Sequence, residues 1–282
     1  MADKMNLQVY REKLRNDGLR EAIKYKNNFI PKVLYKYNPL LDDRYVNFKE
    51  ENRKRLSSLK KNKLWVSHYT KFNDPFEFKI MTIDIERLKA TNWKVEHIET
   101  YLNLFKDMCL VSCFSSNGNS MPMWAHYANN HKGYCVKYSV VNPESIFPVL
   151  YEPKRVKSLV IPTNIISEIY KGYEKNLPEP TKEFFEYFSY FYLSLTCKHD
   201  FWQYENEYRL LYLNSDLEEK RGKLVELREI GLKVDAIYIG YKCDIEYVSD
   251  LIEIGKALEC EVYKMEFDEY TDNFSLITNK LT

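Results

Sequence analysis

The sequence predicts an α+β fold with a split, mixed or antiparallel central sheet and flanking helices. Three observations carry that reading. Short apolar strands and amphipathic helices alternate without a steady strand–helix–strand rhythm, which disfavours a doubly wound sheet. Hydrophobic residues make up 45% of the 282 and aromatics 15%, enough for a sizeable core. No internal repeat or low-complexity linker divides the chain, so one domain over 1–282 with a single helical insertion accounts for its length.

The elements follow in order. Residues 4–28 predict an N-terminal helix, with Leu7, Leu14, Leu19 and Ile23 near one face and Gly18 as a weak point. The core is expected over about 32–160 and 199–282. Its strands are 33–37, 64–68, 109–114, 134–138, 207–212, 235–239 and a last one at 261–267. Helices are expected at 42–59, 83–107 and 244–258. Between Pro143 and Pro162 short extended pieces alternate with loops. The insertion, 163–198, is two helices (163–175 and 181–198) joined by a loop at Leu177-Pro178-Glu179-Pro180. Phe72-Asn73-Asp74-Pro75-Phe76-Glu77 reads as a rigid structural turn, with Asn73 and Asp74 bonding backbone amides.

Charge narrows the function. Lys+Arg 42 against Asp+Glu 41 gives no global polyanion-binding field. The basic stretch from Arg53 to Lys63 reads as a solvated helix end or a local phosphate contact. Tyrosine is abundant, 24 against 8 glycines, which suits half-buried strands and pocket walls. No stretch is apolar enough for a signal peptide or a bilayer span. The six cysteines show no paired spacing, so the reading is a cytoplasmic protein with reduced thiols and no membrane partner.

The stretch from Cys109 to Tyr138 is the most informative. A buried strand runs into the turn Ser115–Ser120, then a short helix carries Trp124, His126 and Tyr127, and Gly133 opens the next strand. Aromatic, imidazole and hydroxyl groups beside a loop suit a small-molecule pocket; core packing is the plainer alternative. Cys109, Cys113, His126 and His131 fit a loose zinc-finger spacing. Residues four apart on a strand lie roughly 13 Å apart and cannot share an ion, so no zinc is expected. The second informative stretch is Trp202 to Arg209. If it is extended, Glu205 and Glu207 share a face, and their repulsion raises one pKa. The plain alternative pairs them with Arg209 or Lys198. Glycoside hydrolysis fits poorly, because it needs carboxylates on opposite sides of a bond.

Leu34-Tyr35-Lys36-Tyr37, Leu64-Trp65, Phe72 to Phe76, Ser112-Cys113-Phe114-Ser115, Met123 to Ala128, His131-Lys132-Gly133 and Trp202 to Arg209 form an ordered set over roughly 32–240. The set resembles the bacterial family called domain of unknown function 2971. More distantly it is similar to ADP-ribosyltransferases, nearest to their DNA-modifying toxin branch. That resemblance implies a split-sheet fold and NAD as substrate. By position it implies an NAD contact from Tyr35 or Lys36, a nicotinamide and ribose frame from Ser112, Phe114, Ser115 and Tyr127, and a ribose contact from Glu207. Beside it, Trp124 suits stacking on nicotinamide with Phe114 and Tyr127, Lys36 suits the pyrophosphate, His126 is either a base to the acceptor or a structural bond within the pocket, and Glu205 is the second catalytic carboxylate, serving the acceptor. The sequence departs from the pattern in having Lys36 for Arg or His and no Ser-Thr-Ser.

Three functions compete. The first is transfer of ADP-ribose from NAD to a protein or nucleic acid, as in a bacterial toxin or phage-defence effector held by an antitoxin or regulatory protein. The second is a non-catalytic module on the same fold that binds a nucleotide or partner. The third is a nuclease or hydrolase built on His126, His131 and the carboxylates. Nicotinamide release separates the first two, and metal-dependent cleavage identifies the third.

Overall fold

The computed structural model describes residues 4–82, 84–90, 94–157, 160–178, 180–216, 218, 220–270, 272 and 276–282. It is a mixed α+β fold around a curled ten-stranded sheet. The sheet strands are β1 (Val33–Asn38), β2 (Lys63–His68), β3 (Cys109–Ser115), β4 (Tyr134–Val140), β5 (Ile146–Pro148), β6 (Glu207–Leu213), β7 (Gly222–Glu226), β8 (Leu232–Ile239), β9 (Glu261–Phe267) and β10 (Leu276–Lys280). The order is β7-β2-β3-β1-β4-β8-β9-β10, with β6 on β3 and β5 on β6. Within this sheet, β8 and β9 are parallel, joined through the helix Ile245–Leu258; the other described pairs are antiparallel.

Strand alternation divides the core. On β3, Leu110 and Phe114 face a cluster with Leu56, Leu59, Tyr247 and Leu251. Cys109 and Val111 face the opposite cluster, with Tyr10, Leu14, Phe105, Ile165 and Phe191. The first is closed by the helices Phe48–Lys60 and Ile245–Leu258, the second by the N-terminal helices and the insertion.

The seven expected strands are found. Several helix boundaries differ, for local reasons. The N-terminal helix is two, Leu7–Asn16 and Leu19–Asn27, because Gly18 takes φ +89°, which breaks the helix. The helix expected at 42 starts at Phe48, since Asp42 instead holds Arg44 (2.8 Å) and Lys132 (2.6 Å) in ion pairs. The 83–107 stretch gives Ile85–Leu88 and Val95–Asp107; residues 83 and 91–93 lie outside the described residues. Within the insertion the helices are Val160–Glu174 and Lys182–Ser194, and Glu179 of the joining loop lies outside the described residues. The second helix ends at Ser194, and Cys197–His199 becomes a strand parallel to Leu150–Glu152. That change turns Lys198 from a helix residue into a strand residue beside β6.

One buried cation ties the periphery to the sheet. Lys26 is fully buried, and its ammonium donates to the carbonyls of Pro143 (2.7 Å), Glu144 (2.9 Å) and Ile146 (2.7 Å), over the ring of Phe147. These residues lead into β5, which backs β6 at Tyr208, Arg209 and Leu210. Lys26→Met removes the buried donor that these three carbonyls share, a loss on the order of 3 kcal/mol. Urea unfolding should show that loss; a change under about 0.5 kcal/mol would contradict a structural role for the lysine.

Candidate functional site

The site begins with an interruption in strand pairing. One edge of β3 is covered from Cys109 to Ser115 by β6. On the other edge, β2 pairs only at Leu110 and Val111, and β1 only at Ser115. Residues 112–114 are therefore left without a strand neighbour on that side. The Cys113 carbonyl accepts from Lys36 Nζ at 3.2 Å, so it faces this opening. The strand geometry that turns the carbonyl this way turns the Cys113 N–H the same way. Beside it, Ser112 is buried, and among the described residues its Oγ has no hydrogen-bond partner.

A cleft of about 200 Å³ occupies the opening. Tyr35, Lys36, Ser112, Phe114, Ser115, Tyr127, Glu205 and Glu207 all line it, although they come from four distant parts of the chain. The loop Ser115–Ser120 is stitched in place by Tyr37 Oη donating to the Asn117 carbonyl (2.7 Å) and Asn117 N–H donating to Ser115 Oγ (3.1 Å). Gly118 lies against Tyr35, where an added Cβ would meet the ring at 2.5 Å.

Two other sequence candidates lie elsewhere. Trp124 is fully buried and donates from Nε1 to the Gly118 carbonyl, so it holds the loop from behind. His126 is exposed in a second, adjoining cleft with Asn73, Tyr127, Phe201, Trp202 and Tyr204. His131 does not line that cleft and packs against Trp124 and Tyr241. The two histidines do not share a cleft. Cys109 and Cys113 lie along one strand, and among the described residues no group of three or more His, Cys, Asp or Glu is placed to hold a metal.

The glutamates do not share a face by strand alternation, as an extended segment would require. Glu205 ends a 3-10 turn, Asn206 takes a left-handed φ of +45°, and Glu207 begins β6. Ser115 fixes this corner: its Oγ donates to the Glu205 carbonyl at 2.7 Å, and Ser116 N–H to the Asn206 carbonyl at 3.1 Å. Both carboxylates then converge on Lys198, at 2.7 Å from Glu205 and 3.3 Å from Glu207. Glu207 also accepts from Arg209 Nε (2.9 Å) and Nη2 (3.2 Å). Glu205 accepts a short hydrogen bond from Tyr127 Oη.

These environments push the two carboxyls apart. Burial raises Glu205, and the Glu207 charge adds to it, outweighing Lys198 and Tyr127. Burial opposes ionisation of Glu207 too, but Arg209 and Lys198 outweigh it and hold the group at about 2. Lys36 is lowered, chiefly by burial, against the pull of Cys113 and Glu207. Unlike carboxyls side by side are what paired proton-transfer and charge-stabilising roles require.

The sequence missed several members. Lys71, Asn73, Asp74, Glu77, Lys198 and Trp202 also line the cleft. In the turn read as purely structural, Asp74 Oδ1 does accept the Phe76 N–H (2.8 Å). Asn73 is instead exposed and lines both clefts.

Comparison with known proteins adds one finding. Residues 123–210 match the model of a family described as a protein of unknown function (DUF2971). The match starts in the aromatic helix and runs through both glutamates and Arg209. No curated protein and no solved structure matches the chain. Among the described residues, no helix is long and apolar enough to cross a membrane.

The pairing of Glu207 carries a pH consequence. Its folded pKa lies below the ordinary 4.5, so its contribution is complete above about 4.5 and is lost as pH falls toward 2. Glu207→Gln should therefore destabilise at pH 7, and its deficit against wild type should shrink between pH 4.5 and 2. Denaturant unfolding at both ends of that range tests it; a deficit independent of pH would show that Glu207 acts through shape alone.

Proposed function

We propose that the chain is an ADP-ribosyltransferase-like protein that binds NAD in the opening along β3 and transfers ADP-ribose to a protein or nucleic-acid acceptor. The observation that carries this reading is the meeting, in one interrupted sheet, of an ionised glutamate, a lysine side chain and a wall of aromatic rings. Cleavage breaks the bond between ribose C1′ and nicotinamide, the electron pair leaving with nicotinamide. Positive charge then builds on the ribose. Glu207, ionised at neutral pH, would stabilise that charge, and the water-poor wall of Phe114, Tyr35 and Tyr127 would strengthen the effect. Lys36 suits the pyrophosphate. The acceptor nucleophile attacks C1′ and gives up its proton, for which Glu205, with its raised pKa and Tyr127 partner, is the suited base. The adjoining cleft with His126, Trp202 and Tyr204 offers the acceptor a wall next to the reacting centre. A toxin or defence role, with an antitoxin or other regulator, belongs to the same proposal.

One observation favours a second reading. Glu207 already accepts two bonds from Arg209 and one from Lys198. A carboxylate so engaged suits a non-catalytic module that binds a nucleotide without cleaving it.

Nicotinamide release and incorporation of labelled ADP-ribose distinguish the two. Wild type should show both. Glu207→Gln should lose about a hundredfold to a thousandfold in turnover, measured where circular dichroism shows the variant folded. Glu205→Gln should keep NAD hydrolysis while transfer fades. Tight NAD binding without release by wild type would establish the binding module instead.

A further inference from the structure

The loop Phe72–Phe78 holds the far side of Arg209. The guanidinium is fully buried. Its Nε and Nη2 serve Glu207, and its Nη1 donates to the Leu195 carbonyl at 2.6 Å. The same Nη1 lies 2.6 Å from Glu77 Oε1. The rings of Phe72 and Phe78 flank the cation, 6.0 and 5.7 Å from its centre. The loop is built to present these groups. Asp74 caps it, accepting the Phe76 N–H from its side chain and the Glu77 N–H from its carbonyl (3.0 Å). Phe78 takes a left-handed φ of +59°, a costly conformation for a bulky residue.

Glu77 is buried and lines the cleft, yet among the described residues neither of its side-chain oxygens has a well-formed hydrogen bond. Its attachment to Arg209 is thus a close charge contact and not a geometric lock, unlike the two-point grip of Glu207. From Glu77 the charges alternate through Arg209, Glu207, Lys198 and Glu205 to the Tyr127 hydroxyl. Each cation in this row is divided between two carboxylates.

We propose that Glu77 is a positioning residue that sets the effective charge of Glu207 by sharing Arg209 with it. The division keeps the guanidinium from collapsing wholly onto Glu207, which retains negative charge toward the cleft. Glu77 touches no reacting atom in this role. Its significance for catalysis rests on the transferase reading, but the charge sharing does not. The groups that face Glu77 are Arg209, Glu207 and Lys198, and burial together with Glu207 raises its carboxyl against the pull of the two cations.

The test reads one carboxylate while the other is changed. The side-chain carboxyl of Glu77 is titrated by carbon NMR in wild type and in Glu207→Gln. With Glu207 neutral, Arg209 turns to Glu77, whose apparent pKa should fall by about one unit or more. Glu207→Asp retains the charge but draws it back by one methylene. It should shift Glu77 in the same direction, and it serves if the Gln variant does not fold. An unchanged Glu77 titration in whichever variants fold overturns the proposal and leaves the glutamate a loop anchor. A second arm reads chemistry: Glu77→Gln should lower kcat for nicotinamide release about tenfold or more with KM within about threefold. A rise confined to KM overturns the positioning role. Wild type without NAD turnover counts against the transferase reading, and the titration then decides the charge sharing.

Discussion

A fully buried guanidinium is the constraint on which the site depends. Arg209 sits on a central strand, away from water, where an unpaired charge would cost several kcal/mol. The fold meets that demand from three directions: Glu207 from the same strand, Glu77 from a distant loop, and the Leu195 carbonyl from the end of the insertion. Each partner brings a segment with it. The loop brings Asn73 and Asp74 to the cleft; the insertion is followed by the strand that carries Lys198. The cleft floor is thus assembled as a by-product of satisfying one cation. Such pairing is weak evidence for net stability and better evidence for a fixed arrangement.

The sheet was legible because its strands are short apolar runs bounded by turn residues. Cys109 to Phe114 is almost wholly apolar, as a strand buried on both faces requires, and a single sequence shows that directly. The break at Gly18 was visible as a low helix propensity, though not as a turn. The site was legible in part: Tyr35, Lys36, Ser112, Phe114, Tyr127 and both glutamates were marked, and they line one cleft. Trp124 was placed in the pocket because aromatic content near a loop does not distinguish a ring facing a ligand from one supporting the loop.

What stayed hidden was set by long-range pairing or by backbone conformation. Asn206 carries the left-handed corner between the glutamates, and an asparagine is compatible with that conformation without announcing it. The helix 182–194 stops before Lys198, which then swings beside β6; continuous aromatic content concealed that ending. Glu77 and Arg209 lie far apart in sequence and meet only in the tertiary structure. Its turn chemistry was readable, its partner was not.

On the edge of β3 away from β6, Ser112 to Phe114 lack a strand neighbour, and Lys36 reaches the Cys113 carbonyl there. A sheet normally pairs such an edge, and leaving it open inside the protein makes sense if a ligand completes it. The most direct measurement follows backbone amide resonances during addition of NAD to the intact protein. The account predicts saturable shifts concentrated at Tyr35 and Lys36, Ser112 to Ser115, Tyr127 and Glu205 to Glu207. Spectra unchanged at millimolar NAD, or shifts confined to another face, would contradict it.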